Sequence, residues 1–149
     1  MRPSGLKLSA RHRAWLYGSF AALWLSGALW LAVQWYRWQS AHAGHDVQQL
    51  ARVALQTHGA AAMAALVLLG TLIPLHMKRG WQADRNRRNG LALIVANGVL
   101  IVTGYGLYYA GGERLRAVSQ WTHSVLGMWL PLLIVWHIRA GRLTRPRRS

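Results

Sequence analysis

The sequence predicts an all-α fold, a bundle of four transmembrane helices in up-down-up-down order. The first observation is composition, because 53% of the 149 residues are hydrophobic and only 14% are charged. The second is that the charged residues leave four apolar stretches, each long enough to cross a hydrocarbon layer of about 30 Å as a helix. The third is that short segments connect these stretches, as in a simple bundle. A single domain covers residues 1–149, with spans at roughly 14–36, 55–77, 90–110 and 118–139.

The basic residues predict how the spans are oriented. The chain has 18 Lys and Arg residues against three acidic ones, and 14 of the 18 precede the first span, separate the second from the third, or follow the fourth. By the positive-inside rule, both termini and the middle loop are therefore cytoplasmic. The net charge of +15 is explained by topology, so no nucleic-acid partner is predicted. The remaining basic residues, on the outer side, are Arg37, Arg52, Arg114 and Arg116.

Local signals support each span in turn. The first is too long for the apolar core of a cleavable signal peptide and is expected to remain as an anchor, with the aromatic run 35–38 at the outer interface. The outer segment before the second span is predicted to be a loop with at most one turn of helix. Asn89 and Gly90 are expected at the entry to the third span, and the Gly111–Gly112 pair after its end. No internal repeat is predicted.

Four of the seven histidines fall inside the predicted spans. His58 and His76 lie near the outer and inner ends of the second span, and His123 and His137 near the outer and inner ends of the fourth. At about 100° per residue, the 18-residue separation in the second span is about five whole turns, and the 14-residue separation in the fourth is within about 40° of four turns. Each helix should therefore present its two imidazoles on one stripe.

Facing imidazoles in an apolar bundle suit the two axial positions of a haem iron. If the two stripes face each other, the histidines form an outer pair, His58 with His123, and an inner pair, His76 with His137. Two b-type haems are therefore predicted. The absence of cysteine excludes covalently attached c-type haem and iron–sulfur clusters. The spans contain no acidic residue, which argues against a proton pump or a cation transporter.

The inner level has two interpretations. At 1.5 Å per residue, the histidines are about 27 Å apart on the second helix and about 21 Å apart on the fourth. The excess is absorbed by tilt or by a bend at Pro74, or else His12, at the start of the first span, replaces His76 as the inner ligand.

Glycines in the first and third spans also have two interpretations. They provide clearance for a flat macrocycle, or they allow close packing between helices. These residues are Gly18, Gly27, Gly90, Gly98, Gly104 and Gly106.

With these features in view, the chain resembles the bacterial cytochrome b561-like superfamily, which includes the membrane cytochrome b subunits of formate dehydrogenases (gamma) and nickel–iron hydrogenases. The resemblance rests on the spacing of His123 and His137 and on short motifs. It implies a four-helix, dihaem b protein of the bacterial inner membrane that passes electrons between a quinone pool and a redox partner. The motifs are "LHMKRGW" (75–81), "TGYGLYY" (103–109), "GGERLR" (111–116) and "WTHSVLG" (121–127).

The resemblance also bears on the ligands. By position, His58 and His123 would hold the outer haem. In the formate dehydrogenase type the first helix supplies an inner ligand, which corresponds to His12 in "RHRAW". In the branch with a histidine before "RGW", the ligand is His76, and this residue is predicted to hold the inner haem together with His137.

The predicted function is transmembrane electron transfer, with membrane lipid, quinone or quinol and a redox protein as partners. An electron-carrier subunit is favoured over a stand-alone enzyme because no catalytic domain is fused to the spans. One alternative is oxidation of superoxide or another small molecule at the outer haem, coupled to quinone reduction, with Arg52, Arg114 and Arg116 attracting the anion. The other is a non-haem metal-binding or structural membrane subunit whose histidines are hydrogen-bonded.

Overall fold

The computed structural model describes residues 9–40, 44–72 and 87–143, and all regular structure within these ranges is α-helical. All four helices are long and apolar enough to cross a membrane, which confirms the all-α class and the four apolar spans. The helices are α1 (Ala10–Gln39), α2 (His45–Leu72), α3 (Arg87–Tyr109) and α4 (Glu113–Leu143).

The helices extend beyond the predicted spans. α1 begins at Ala10 because Ser9 caps it, with the Ser9 hydroxyl accepting a hydrogen bond from the His12 backbone N–H at 3.1 Å. α2 begins at His45, so almost three turns of helix replace the predicted outer loop, and that prediction was wrong. Hydropathy marks only the apolar part of a helix, whereas the first turns of α2 are polar and place Asp46 at the positive end of the helix dipole.

α1 and α2 form an antiparallel pair, the first hairpin. The beginning of α1 meets the end of α2, where His12 contacts Thr71, and the middle of α1 meets α2 at His58. Small buried residues share the His58 stripe of α2, and small side chains allow two membrane helices to approach closely. These residues are Ala51, Ala54 and Ala65.

α3 and α4 form the second hairpin, also antiparallel. A Cβ atom added at Gly106 would lie 2.7 Å from the Ser119 hydroxyl oxygen, so the two backbones are close near the end of α3. Further along, Gly104 faces His123 and Gly90 faces His137. The chain divides into two compact units between His76 and Met77, one containing each hairpin.

Large apolar side chains are exposed on every helix. Val67 on α2 is 69% exposed and Val102 on α3 is 70% exposed, although both lie in the apolar part of their helices. Such a surface is unfavourable in water and suited to hydrocarbon. The helices therefore have the composition and exposure of a multi-pass membrane protein in contact with lipid.

Candidate functional site

His58 is held by two oxygen atoms from α1. Its Nδ1 lies 2.9 Å from the Leu23 carbonyl oxygen and 3.2 Å from Ser26 Oγ. A carbonyl oxygen can only accept a hydrogen bond, so Nδ1 carries a proton and donates it. The Ser26 hydroxyl donates to the Ala22 carbonyl oxygen at 2.6 Å, which leaves the hydroxyl oxygen to act as an acceptor towards Nδ1.

His123 is held in the same way by α3. Its Nδ1 lies 3.1 Å from the Leu100 carbonyl oxygen and 3.1 Å from Thr103 Oγ1. The Thr103 hydroxyl donates to the Val99 carbonyl oxygen at 2.7 Å, one turn back along the helix. The imidazole of His123 is therefore also protonated on Nδ1 and has the same two acceptors as His58.

The two hairpins repeat one local arrangement, which we call the histidine cradle. A carbonyl at position i, a hydroxyl at i+3 and a glycine at i+4 face the imidazole from the neighbouring helix. The first cradle is formed by "LWLSG" at 23–27 and the second by "LIVTG" at 100–104. The two segments have five residues each and are identical only at Leu and Gly. They are too short to be recognised as a repeat, so sequence reasoning missed the cradle. Its meaning depends on the histidine opposite.

Glycine leaves room in the cradle for the imidazole, which lies where a side chain would otherwise be. A Cβ atom would lie 3.0 Å from His58 Cε1 if added at Gly27, and 3.2 Å from His123 Cε1 if added at Gly104. A helical side chain covers the turn N-terminal to its own Cα, so a side chain at i+4 would shield the carbonyl of residue i. These two glycines therefore provide clearance for the imidazole itself.

The other four candidate glycines are not in tight contact with a histidine. Among the described residues, Gly18 and Gly98 have no atom within 4 Å of an added Cβ, and an added Cβ at Gly106 would lie 2.7 Å from Ser119 Oγ, a close approach between helices that involves no histidine. A Cβ added at Gly90 would lie 3.8 Å from His137 Cε1, a van der Waals distance. Of the six candidates, only Gly27 and Gly104 are tightly apposed to a histidine.

The cradle selects the nitrogen that can bind a metal. In a neutral imidazole with a proton on Nδ1, the lone pair is on Nε2. Histidines that ligate metals usually donate the other ring N–H to a carbonyl or carboxylate in this way. Within residues 9–40, 44–72 and 87–143, no three His, Asp or Glu side chains form a metal-binding group. A bis-histidine haem is held by two imidazoles that each offer an Nε2 lone pair, and the donor chemistry of His58 and that of His123 each fit this requirement.

The inner histidines have different surroundings. The Thr71 hydroxyl donates to the Leu68 carbonyl oxygen at 2.6 Å, so its oxygen accepts a hydrogen bond from His12 Nε2, which lies 3.2 Å away. His137 contacts α3 near Gly90, so both histidines of α4 face the same neighbouring helix. His76 lies outside the described residues.

The structure thus places each histidine of the predicted outer pair in a different hairpin, His58 against α1 and His123 against α3. The pairings of His58 with His123 and of His76 with His137 stay predictions. The arginines expected to attract an anion, Arg52, Arg114 and Arg116, are all exposed. Arg116 also donates to the Leu107 carbonyl oxygen at 3.4 Å.

No protein-family model, curated protein or solved structure matches this chain. The resemblance to the cytochrome b561-like superfamily therefore stays a prediction based on short motifs and on the spacing of the histidines. The site has to be interpreted from its own chemistry.

Proposed function

We propose that this protein carries electrons across a bacterial inner membrane through two b-type haems held by histidine pairs. The observation that carries the proposal is the repeated histidine cradle. It gives His58 and His123 the same tautomer, with Nδ1 hydrogen-bonded to a backbone carbonyl and the lone pair on Nε2. Two histidines with the same tautomer, at corresponding places in two apolar hairpins, are suited to bind one iron atom from opposite sides.

In this proposal, Nε2 of His58 and Nε2 of His123 would hold the iron of the outer haem. A bound haem supplies reversible one-electron oxidation and reduction, and filling both axial positions with imidazole favours electron transfer over oxygen chemistry. The chain contributes the orientation of the imidazoles and an apolar environment that limits the access of water. The four helices would cross in up-down-up-down order with both termini cytoplasmic, as the basic residues indicate.

For the inner haem, His137 is one proposed ligand and His76 the other. The alternative is His12, which the helix spacing suits although its Nε2 already donates a hydrogen bond to Thr71 Oγ1. Along α2, His58 is 13 residues from Thr71, the residue in contact with His12, which corresponds to about 20 Å. Along α4, His123 and His137 are 14 residues apart, or about 21 Å. These separations agree closely, whereas His76 would lie about 27 Å from His58 on a continued helix.

Alanine variants distinguish the two inner candidates. If His12 is the ligand, His12→Ala removes the inner haem and His76→Ala retains it. The haem content and the redox titration of each purified variant measure this directly. Loss of the inner haem in His76→Ala, with full retention in His12→Ala, would instead support the ligand implied by the "RGW" motif.

The electrons would pass between the quinone pool and a redox partner protein, with this chain as a carrier subunit. A second candidate function is favoured by the exposed Arg52, Arg114 and Arg116, which lie on the predicted outer side. Two superoxide anions would each give up one electron and leave as O₂, and one quinone would take up the two electrons and two protons to become quinol. Since the anion would be attracted by exposed charges, the rate of this reaction should fall as salt concentration rises.

The first test is a reduced-minus-oxidised absorption spectrum of the detergent-purified protein, with haem counted per chain as the pyridine haemochrome. We expect a low-spin b-type spectrum and two haems per chain. A colourless protein, made in cells supplied with haem, would contradict the proposal and support the non-haem metal-binding or structural alternative.

A further inference from the structure

The cradle contains two hydroxyl groups whose role goes beyond that of the carbonyls. Ser26 and Thr103 are each part-buried in their hairpin and each contacts the Nδ1 atom of a histidine on the neighbouring helix. We infer that Ser26 and Thr103 are positioning residues that fix the tautomer and the ring orientation of His58 and His123. The inference rests on the proposed function for the identity of the metal, but the tautomer can be measured without any metal.

The hydrogen bonds of the hydroxyls explain how they act. The shortest hydrogen bond of Ser26 Oγ is donated to the Ala22 carbonyl oxygen at 2.6 Å. The shortest hydrogen bond of Thr103 Oγ1 is donated to the Val99 carbonyl oxygen at 2.7 Å. Each hydroxyl has one proton, and both of its acceptors lie on its own helix, this carbonyl at i−4 and, at 3.1 Å for Ser26 and 3.3 Å for Thr103, the cradle carbonyl. The hydroxyl oxygen therefore faces Nδ1 with a lone pair, and only an imidazole with a proton on Nδ1 can satisfy it.

The opposite tautomer would be doubly unfavourable. With its proton on Nε2, His123 would turn an Nδ1 lone pair towards both the Leu100 carbonyl oxygen and Thr103 Oγ1, which lie at 3.1 Å each. The carbonyl cannot donate, and the hydroxyl could donate only by giving up its bond to Val99. The two acceptors therefore favour the same tautomer, the one with its lone pair on Nε2.

Two acceptors also define the ring orientation better than one. The carbonyl oxygen at i and the hydroxyl oxygen at i+3 lie on the same face of the helix, 3.1 Å apart in the first cradle and 3.3 Å apart in the second. A single acceptor mainly restrains the distance of Nδ1, whereas two restrain rotation of the ring about the Cβ–Cγ bond as well. Nε2 is then held in a fixed direction, which a metal ligand requires.

Ser19 allows the hydrogen bonds of the cradle hydroxyls to be compared with those of another hydroxyl in α1. Ser19 in α1 is also part-buried, but it donates to the Leu16 carbonyl oxygen, at i−3, with a distance of 2.9 Å. The two cradle hydroxyls instead have their shortest bonds to the carbonyl at i−4. Ser19→Ala is thus a matched control, since it removes a hydroxyl-to-carbonyl bond within the same helix without altering a cradle.

Thr103 allows the sharpest test because valine and serine each change one feature of its side chain. Thr103→Val keeps the shape and removes the hydroxyl, whereas Thr103→Ser keeps the hydroxyl and removes a methyl group. We expect Thr103→Val to speed haem dissociation about tenfold, the lower end of the effect of removing a hydrogen-bond partner from a metal ligand. It should also raise the midpoint potential of one haem, because a less basic imidazole stabilises iron(III) less. Thr103→Ser should resemble the wild type in both.

The tautomer itself is read from nitrogen-15 NMR of the haem-free, full-length protein with labelled histidine. His123 should be protonated on Nδ1 in the wild type and in Thr103→Ser, and should gain the Nε2-protonated form in Thr103→Val. Ser26→Ala should change His58 in the same direction, and Ser19→Ala should change neither histidine. If the wild type binds no haem, the proposed function fails while this measurement still decides the inference.

Two results would overturn the inference. One is a Thr103→Val protein with the wild-type tautomer population and, where haem is bound, the wild-type dissociation rate. The other is a Thr103→Ser protein that loses the Nδ1-protonated form as fully as Thr103→Val does, because the methyl group rather than the hydroxyl would then be responsible.

Discussion

A His123→Ala protein should retain one haem per chain, whereas the wild type should bind two. Removing one axial imidazole leaves the outer iron with the single ligand His58, and the apolar site offers no acidic side chain or cysteine to replace it. The inner site should survive because it lies about 21 Å away along α4, at His137. Haem content by pyridine haemochrome, with circular dichroism to verify helicity, measures the outcome.

The matching variant and control make this result specific. His58→Ala should remove the same haem as His123→Ala, so redox titrations of the two variants should show the same remaining midpoint potential. The double variant should still bind one haem. His45→Ala is the control, because His45 is exposed at the start of α2 and should not affect haem content. If His58→Ala and His123→Ala removed different haems, the two histidines would belong to different sites.

Gly27→Val should abolish binding of the outer haem, although Gly27 is not itself a proposed ligand of the iron. A Cβ atom at Gly27 would already lie 3.0 Å from His58 Cε1, and the two γ carbons of valine would add further overlap. The imidazole would be pushed away from the Leu23 carbonyl oxygen and from Ser26. Gly27→Ala should have a smaller effect of the same kind, visible as a broadened low-spin spectrum and faster haem loss.

Gly18 provides the comparison on the same helix. An added Cβ there has no described atom within 4 Å, so Gly18→Val should leave the haem spectrum unchanged. Alanine is favoured over glycine inside a helix by roughly 0.5–1 kcal/mol, so Gly18→Ala should be neutral or slightly stabilising in a thermal melt. On α3, Gly104→Val and Gly98→Val form an equivalent pair. Equal haem loss from both members of a pair would show that the effect comes from the helix and not from the cradle.

The positions of the spans could be predicted from sequence because helix segments within the hydrocarbon layer consist of apolar residues. Four apolar stretches appear as four helices, and the third ends at Tyr109 just before the Gly111–Gly112 pair, as predicted. The start of α2 could not be predicted the same way. Asp46 and Arg52 are polar residues in a helix that continues beyond the hydrocarbon, where hydropathy and helicity no longer coincide.

The candidate site was predictable in its residue types but not in its contacts. His58 and His123 stand out because an imidazole is costly in an apolar helix. Which residues of α1 and α3 face them depends on the rotation of each helix against its neighbour, and helical periodicity alone does not fix that rotation. The repeated Leu-x-x-Ser/Thr-Gly pattern in "LWLSG" and "LIVTG" was visible in the sequence. It became meaningful only when the structure placed a histidine opposite each copy.

The cradles have a consequence for how such a protein would be assembled. The bonds that orient each imidazole come from the adjacent helix of the same hairpin, so each half of the proposed iron site is preorganised before the halves meet. Little conformational entropy is then left to lose when a cofactor joins them. Haem would hold the two hairpins together, because a ligand that binds only the associated state shifts the equilibrium towards that state. Starving a cell of haem should then let the halves separate while each remains helical.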